Sequence, residues 1–189
     1  MGRETKRYGI VDIGSNTVHA VVYEVREGGS RIKLMNRKDA TGLINYISRN
    51  RMRKSGIERL QQLISEFKGL FGLLGCDETD YFATSSLRSI ENGEAVIDSV
   101  FAATGVRIRI IDGAKEAWYD YVSFARNTGL ESFVGADMGG GSVQLVARKA
   151  CQSREHGMRM PEIISRLRKR HSADGERRKG CQETCRGAL

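Results

Sequence analysis

The 189-residue sequence predicts an α/β domain, and three features point that way. Segments near the N-terminus alternate apolar and polar residues with period two, as strands do. Beyond residue 55, helix-period and strand-period segments take turns, the pattern of helices packed on a sheet. Twenty-two glycines against one proline fall mostly at element ends, where tight turns need them.

Residues 7–13 (RYGIVDI) and 18–25 (VHAVVYEV) read as strands joined by a short Gly-Ser-Asn-Thr turn, and 31–37 as a third. Together they predict an antiparallel meander at one edge of a sheet. Ser55 stands three residues before Glu58, the spacing of a capping box, so a helix is expected to start there. Ile57, Leu60, Leu63, Ile64, Phe67, Leu70, Phe71 and Leu74 follow at helical spacing, and Gly75 ends the run. Residues 81–84 read as a short buried strand, 94–103 as a helix stopped by Gly105, and 106–110 as another strand. Residues 114–127 (AKEAWYDYVSFARN) form a helix, and 133–137 and 142–148 two strands around a triple glycine.

Composition narrows the function classes. Apolar residues make up 40% and charged residues 29%, the profile of a soluble globular protein. No apolar run approaches a membrane span, and MGRETKRYGI lacks the apolar core of an export signal, so a cytoplasmic protein without a membrane partner is expected. The net charge of +8 is unevenly spread: residues 150–189 hold 10 Lys and Arg against 5 Asp and Glu. That tail also carries Cys151, Cys181, Cys185, His156, His171 and Pro161, but no aromatic residue and few aliphatic ones. It buries too little apolar surface to offset ordering entropy, so a basic disordered tail is expected. Its Cys-x₃-Cys spacing and scattered histidines do not match a zinc site. The run RLRKR at 166–170 would attract any polyanion, so no specific nucleic-acid partner is inferred. Because composition changes abruptly after Lys149, a truncated or frameshifted gene product is expected.

Two loops carry chemistry. DIGSN at 12–16 and DMGGGS at 137–142 each place an aspartate at a strand end, then glycine, then small polar residues. Backbone N–H groups of such a turn can cradle phosphate, and the aspartate can hold a divalent cation. Two in one chain could clamp a phosphate chain from both sides of a cleft.

The strings IVDIGSNTVHAVVYEV, ATSSLRSIENGEAVI (83–97), IRIIDGAKEAW (108–118) and DMGGGSVQLV (137–146) resemble, in order and approximate spacing, the N-terminal half of the exopolyphosphatase/guanosine-pentaphosphate phosphatase (Ppx/GppA) family. The resemblance covers roughly residues 7–149. It implies a ribonuclease-H-like fold of the sugar kinase/heat-shock-70/actin superfamily: a first lobe over 1–124, the start of a second over 125–149, then the tail at 150–189. It further implies Mg²⁺-dependent hydrolysis of a terminal phosphoanhydride of polyphosphate or guanosine pentaphosphate. By similarity, Asp12, Gly14, Ser15 and Asn16 form the first phosphate loop, and Gly139, Gly140, Gly141 and Ser142 the second. Thr84, Ser85 and Arg88 contact the phosphate chain, Glu116 is the catalytic base, and Asp137 holds metal. Such a set suits phosphoryl transfer, which needs positioning, charge neutralisation and a base near the water.

Plain structural roles stand beside these. Arg88 could be a solvated helix-end residue, Glu116 a glutamate favoured by the helix dipole, and Asp12 a turn-former. His19 reads as structural, and Trp118, Tyr119 and Tyr121 as packing faces of a helix. The run Arg49, Arg51, Arg53 and Lys54 is a solvated loop unless it borders an anion cleft, where it would steer polyphosphate.

The family pattern places a metal-holding glutamate where this chain has Gln144. Losing that charge should weaken Mg²⁺ binding, and Gln144→Glu is expected to raise Mg²⁺-dependent phosphate release. The second lobe stops after its opening strands, whose exposed edges leave a homodimer open. The alternative to a working hydrolase is therefore a catalytically impaired phosphate-chain or nucleotide-binding protein, or a non-functional fragment.

Overall fold

The computed structural model of the chain describes residues 5–148 and, for the backbone, 162–166. Strands β1 (Thr5–Ile13), β2 (Val18–Arg26) and β3 (Arg31–Asp39) form the expected meander. A 3₁₀ turn at Leu43–Tyr46 leads into a small hairpin, β4 (Ile47–Ser48) and β5 (Arg51–Met52), and then helix α1 (Lys54–Leu73). Next come β6 (Glu78–Ala83), the single-turn α2 (Ser85–Arg88), α3 (Gly93–Thr104) and β7 (Arg109–Ile110). Helix α4 (Gly113–Thr128), β8 (Phe133–Met138), β9 (Val143–Arg148) and β10 (Glu162–Arg166) follow.

The first sheet has the order β3-β2-β1-β6-β7. Its meander is antiparallel, whereas β6 runs parallel to β1 and β7 parallel to β6. Parallel pairing requires crossovers, and α1 and α3 supply them. Val11 and Ile13 of β1 and Val18, Ala20 and Val22 of β2 are fully buried, the period-two pattern at work. Leu60, Leu63, Ile64, Phe67 and Phe71 of α1 join them in one core, each worth about 1.5–3 kcal/mol of burial. Close contact demands glycine at Gly9 of β1, where an added Cβ would stand 2.7 Å from the Phe71 ring.

Three local expectations are corrected. Helix α1 starts one residue before Ser55, with Arg53 at its cap position and no side-chain capping bond, so the Ser55–Glu58 capping box does not form. The strand expected over 106–110 pairs only at Arg109–Ile110, although Val106 and Ile108 are buried in the core. The β4–β5 hairpin and α2 have no counterpart in the sequence reading.

Helix α4 packs elsewhere. Its Ala117 and Tyr121 are buried with Val146 of β9, and Trp118, Val122, Phe124 and Phe133 pack around them in a second core. Helix α4 thus contributes its buried residues to the second core. The second sheet has the order β10-β9-β8. Its strand β10 lies inside the segment expected to be disordered and pairs antiparallel with β9, so that edge of the two-stranded fragment is occupied. A β-sheet edge is a row of unpaired N–H and C=O groups that a nearby chain segment can satisfy. The cysteines and histidines of the tail lie outside the described residues. Among the described residues, no helix is long and apolar enough to cross a membrane.

Candidate active site

The two Asp-Gly loops prove to be equivalent hairpins. In β1–β2, Ile13 pairs with Val18 and Asp12 with His19; in β8–β9, Met138 pairs with Val143 and Asp137 with Gln144. Each hairpin closes with the same bond: Gly14 N–H donates to the Thr17 carbonyl at 3.1 Å, and Gly139 N–H to the Ser142 carbonyl at 2.9 Å. None of these loop glycines has a positive φ. Close approach between the loops is what excludes a side chain. A Cβ at Gly141 would stand 2.7 Å from Ser85 Oγ and 2.8 Å from Ser15 Oγ, and one at Gly140 would stand 2.7 Å from Asn16 Nδ2.

Between the loops lies a cleft of about 200 Å³. Asp12, Gly14 and Ser15 line it from the first loop, Thr84 and Ser85 from the end of β6, Glu116 from α4, and Asp137, Gly139, Gly140 and Ser142 from the second loop. Residues from four separate motifs thus converge on one space. Asn16 and Gly141 sit in the loop contact just described. Arg88 stands behind the cleft, where it fixes Glu116. Ser86, which the sequence reading passed over, ties α2 to the sheet by donating from its buried Oγ to the Ile13 carbonyl at 2.6 Å.

Glu116 sits in the first turn of α4, whose start is capped by the Asp112 carboxylate accepting from Lys115 N–H at 2.7 Å. Its Oε2 accepts from Arg88 Nη2 at 3.0 Å, and its Oε1 accepts from Ser142 Oγ at 3.2 Å. Arg88 is itself fixed, since Nη1 donates to the Ile111 carbonyl at 2.7 Å. The carboxylate is held in one orientation, yet each oxygen keeps a second lone-pair direction. Gln144 extends the chain by donating from Nε2 to Ser142 Oγ at 3.0 Å. It does not line the cleft; the side chain is 5% exposed and its Oε1 is buried without a hydrogen-bond partner. The side chain expected to hold metal thus reaches Ser142 and lies outside the cleft lining.

Acidity in the cleft is strongly perturbed. Burial, with the Glu116 and Asp137 carboxylates adding to it and His19 opposing, pushes the Asp12 carboxyl up to about 6. Asp120, one turn beyond Glu116, is pushed up to about 7 by burial and by Asp137, Glu116 and Asp12. Asp120 also lines the cleft, as do Phe82, Ile111 and Tyr119, and the sequence reading named none of them as site residues. The signal for Asp120 was available: four residues after Glu116 on a helix puts it on the same face. Tyr119, expected to pack as a helix face, instead meets Phe82 at a ring separation of 6.3 Å beside the cleft. His19, expected to be structural, has its Nε2 2.6 Å from Asn36 Oδ1.

Among the described residues, no three His, Cys, Asp or Glu side chains stand close enough to hold a metal ion unaided. The donor set still suits Mg²⁺, which takes one or two carboxylates and completes its shell with water and phosphate oxygens. Asp12 Oδ1 and Asp120 Oδ2 are buried without partners, oxygens that a cation would satisfy.

The basic run spans the β4–β5 hairpin (Arg49, Arg51) and the start of α1 (Arg53, Lys54). Arg51 pairs with Glu91 at 3.6 Å and Lys54 with Glu58 at 3.7 Å, while Arg53 donates to the Asn45 carbonyl at 2.6 Å. Only Arg49, at the exposed turn with φ of 48°, has no such partner in this run.

A model of the Ppx/GppA phosphatase family matches residues 16–157. Exopolyphosphatase 1 of Mycobacterium leprae is 31% identical over 142 residues, 74% of this chain and 42% of that protein. The Mycobacterium tuberculosis protein of the same name is 32% identical over the same length, 41% of its own chain. A crystal structure of the Aquifex aeolicus member of the Ppx/GppA family superposes with a TM-score of 0.68 at 25% identity, over 80% of this chain and 50% of that one. An exopolyphosphatase from Cytophaga hutchinsonii gives 0.73 over 86% and 49%, and at 23% identity it speaks to the fold alone. The chain spans about four-tenths of the length of these curated relatives.

Proposed function

Because this chain belongs to the Ppx/GppA phosphatase family, we propose that it is a phosphohydrolase that removes terminal phosphate from inorganic polyphosphate or guanosine pentaphosphate with Mg²⁺, in the cytoplasm. The observation that carries the reading is Glu116, oriented by Arg88 and Ser142 at the wall of a cleft between two Asp-Gly loops. Polyphosphate is the substrate to test first, since the mycobacterial relatives are exopolyphosphatases.

Phosphate oxygens of the chain end are received by loop N–H groups and by the hydroxyls of Ser15, Thr84 and Ser85 that line the cleft. Glu116 accepts a proton from a water at a free lone pair of its carboxylate, and the water oxygen attacks the terminal phosphorus. The bridging P–O bond breaks, and the shortened chain leaves with the bond's electron pair as a phosphate anion. Arg88 and Ser142 keep the carboxylate aimed throughout, so no reorganisation is needed at the moment of transfer. Asp137 and Asp12 are the residues that would hold Mg²⁺, whose role when bound is to neutralise charge on the phosphates. Phe82, Ile111 and Tyr119 supply the apolar and aromatic part of the cleft wall.

Phosphate release from long-chain polyphosphate, assayed with Mg²⁺ and with Glu116→Gln as the matched variant, tests the reading. Glu116→Gln is isosteric but lacks the basic oxygen, so turnover should fall about 10²–10⁴-fold. Equal release by both proteins would remove Glu116 from the chemistry. Guanosine pentaphosphate competing for that release would place both substrates in one cleft.

A further inference from the structure

We propose that Asp120 is a cation-holding residue of this cleft, sharing a divalent ion with Asp137. The proposal rests on the phosphohydrolase reading for the presence of the ion, but its evidence is separate. Helix periodicity sets Asp120 on the Glu116 face of α4, and both side chains line the same cleft as Asp137.

The two carboxylates on that face are treated very differently. Glu116 is satisfied by a guanidinium and a hydroxyl. Asp120 has its Oδ2 buried with no hydrogen-bond donor at all. The charged groups acting on it, Asp137 foremost and then Glu116 and Asp12, are all carboxylates. The nearby protein cations are committed: Arg88 to Glu116 and the Ile111 carbonyl, and Lys115 to a position 5.2 Å over the Tyr119 ring. A buried anionic oxygen facing other anions is costly unless a positive charge joins it. The polypeptide supplies none, and a cleft open to water and phosphate can admit one. Hard divalent cations suit such an all-oxygen surround, and added ligand charge tightens their binding.

The neutral Gln144 gives this assignment its consequence. It stands opposite Asp137 in the β8–β9 ladder and brings no charge to it. A further carboxylate on the ion then comes from across the cleft, where Asp120 Oδ2, like Asp12 Oδ1, is buried without a partner.

The test uses the full chain and Mn²⁺, with free Mn²⁺ followed by electron paramagnetic resonance and Mg²⁺ added as competitor. Asp120→Asn, Asp137→Asn and the remote Asp80→Asn are compared with the unchanged protein, and apo melting temperatures are recorded for each. Asp120→Asn should raise the Mn²⁺ dissociation constant tenfold or more, as should Asp137→Asn, while Asp80→Asn leaves it unchanged. At pH 8, where the Asp120 carboxyl has lost its proton, apo Asp120→Asn should melt at or above the parent, because it removes a charge that nothing compensates. Binding by Asp120→Asn within twofold of the parent, with Asp137→Asn still weakened, overturns the role of Asp120 and leaves the metal-dependent cleft standing. An apo Asp120→Asn that melts well below the parent also overturns it, since the carboxylate would then have a structural partner. Absence of Mg²⁺-displaceable Mn²⁺ from the parent overturns both the proposal and the metal in the functional reading. A Mn²⁺ site lost in Asp120→Asn, in a protein that releases no phosphate, supports the proposal and overturns only the hydrolase.

Discussion

Gln144, Ser142, Glu116 and Arg88 form a single line of hydrogen bonds running from the second sheet to α2. Direction matters in that line, because a hydroxyl has one proton to give. With Gln144 donating to Ser142, the serine proton is free to orient Glu116. Gln144→Glu would replace that donor by an acceptor and draw the serine proton away, releasing Glu116 Oε1 from the bond that aims it. Mg²⁺-dependent phosphate release should therefore fall, contrary to the gain expected from added charge alone; a gain at saturating Mg²⁺ would show that the charge outweighs the lost bond. Two aspartates of the same cleft carry a pH signature. Asp12 and Asp120 hold their protons up to about 6 and about 7, well above the ordinary carboxyl value. Raised values mean that the folded state binds protons the unfolded state has lost. Stability from these groups is therefore complete below about pH 4 and disappears as pH rises through 6 and 7. Measured by urea denaturation with chelator present, the stability of the parent relative to Asp120→Asn should fall steadily from pH 4 to 8. A difference that is flat or rising over that window would contradict the buried, unpartnered carboxylate.

Loops and helices act here as positioned units. The second loop lies so close to Ser15 and Ser85 that Gly141→Ala must push the hairpins apart. Overpacking of this kind costs about 1–3 kcal/mol. Because the displaced atoms line the cleft, phosphate release should fall by a larger factor than stability alone explains, which calorimetry and turnover measured together would show. Most elements were legible from periodicity: the meander, α1 with Gly75 after it, α3 with Gly105 after it, and α4 with its flanking strands. What escaped was short or depended on partners. Helix α2 is four residues long and exists because Ser86 anchors it to the Ile13 carbonyl. Strands β4 and β5 are two residues each, and Asn92 fastens them by bonding the Met52 N–H at 2.8 Å and the Met52 carbonyl at 3.0 Å. No sequence window contains those contacts.

Two cores of unequal size share the molecule. The first packs α1 and α3 over one face of the sheet, while among the described residues the second buries only Ala117, Tyr121 and Val146. Glu116 stands on the helix of the smaller core, yet its anchor Arg88 belongs to the larger. Local opening follows local burial. Amides of α4, β8 and β9 should therefore exchange with deuterium faster than those of β1, β2 and β6, and a bound phosphate chain bridging the loops should slow them. Uniform protection across both sheets would mean that the cores unfold as one. Val134 and Met138 of β8 are each 76% exposed, so the second sheet keeps one apolar face toward solvent.

The sequence by itself determined the α/β class, the antiparallel start, the two Asp-Gly hairpins and the family, because each is written in local periodicity or in contiguous motifs. It also named the residues that converge: Asp12, Ser15, Thr84, Ser85, Glu116, Asp137 and Ser142 all line one cleft. Only the tertiary structure decided that α4 packs with the second sheet, that Arg88 bonds Glu116, that Gln144 bonds Ser142, and that Asp120 lines the cleft. Those are statements about which side chains meet across long sequence separations. A pattern of residue types fixes a side chain's face, but burial and partners arise only when two faces are packed together.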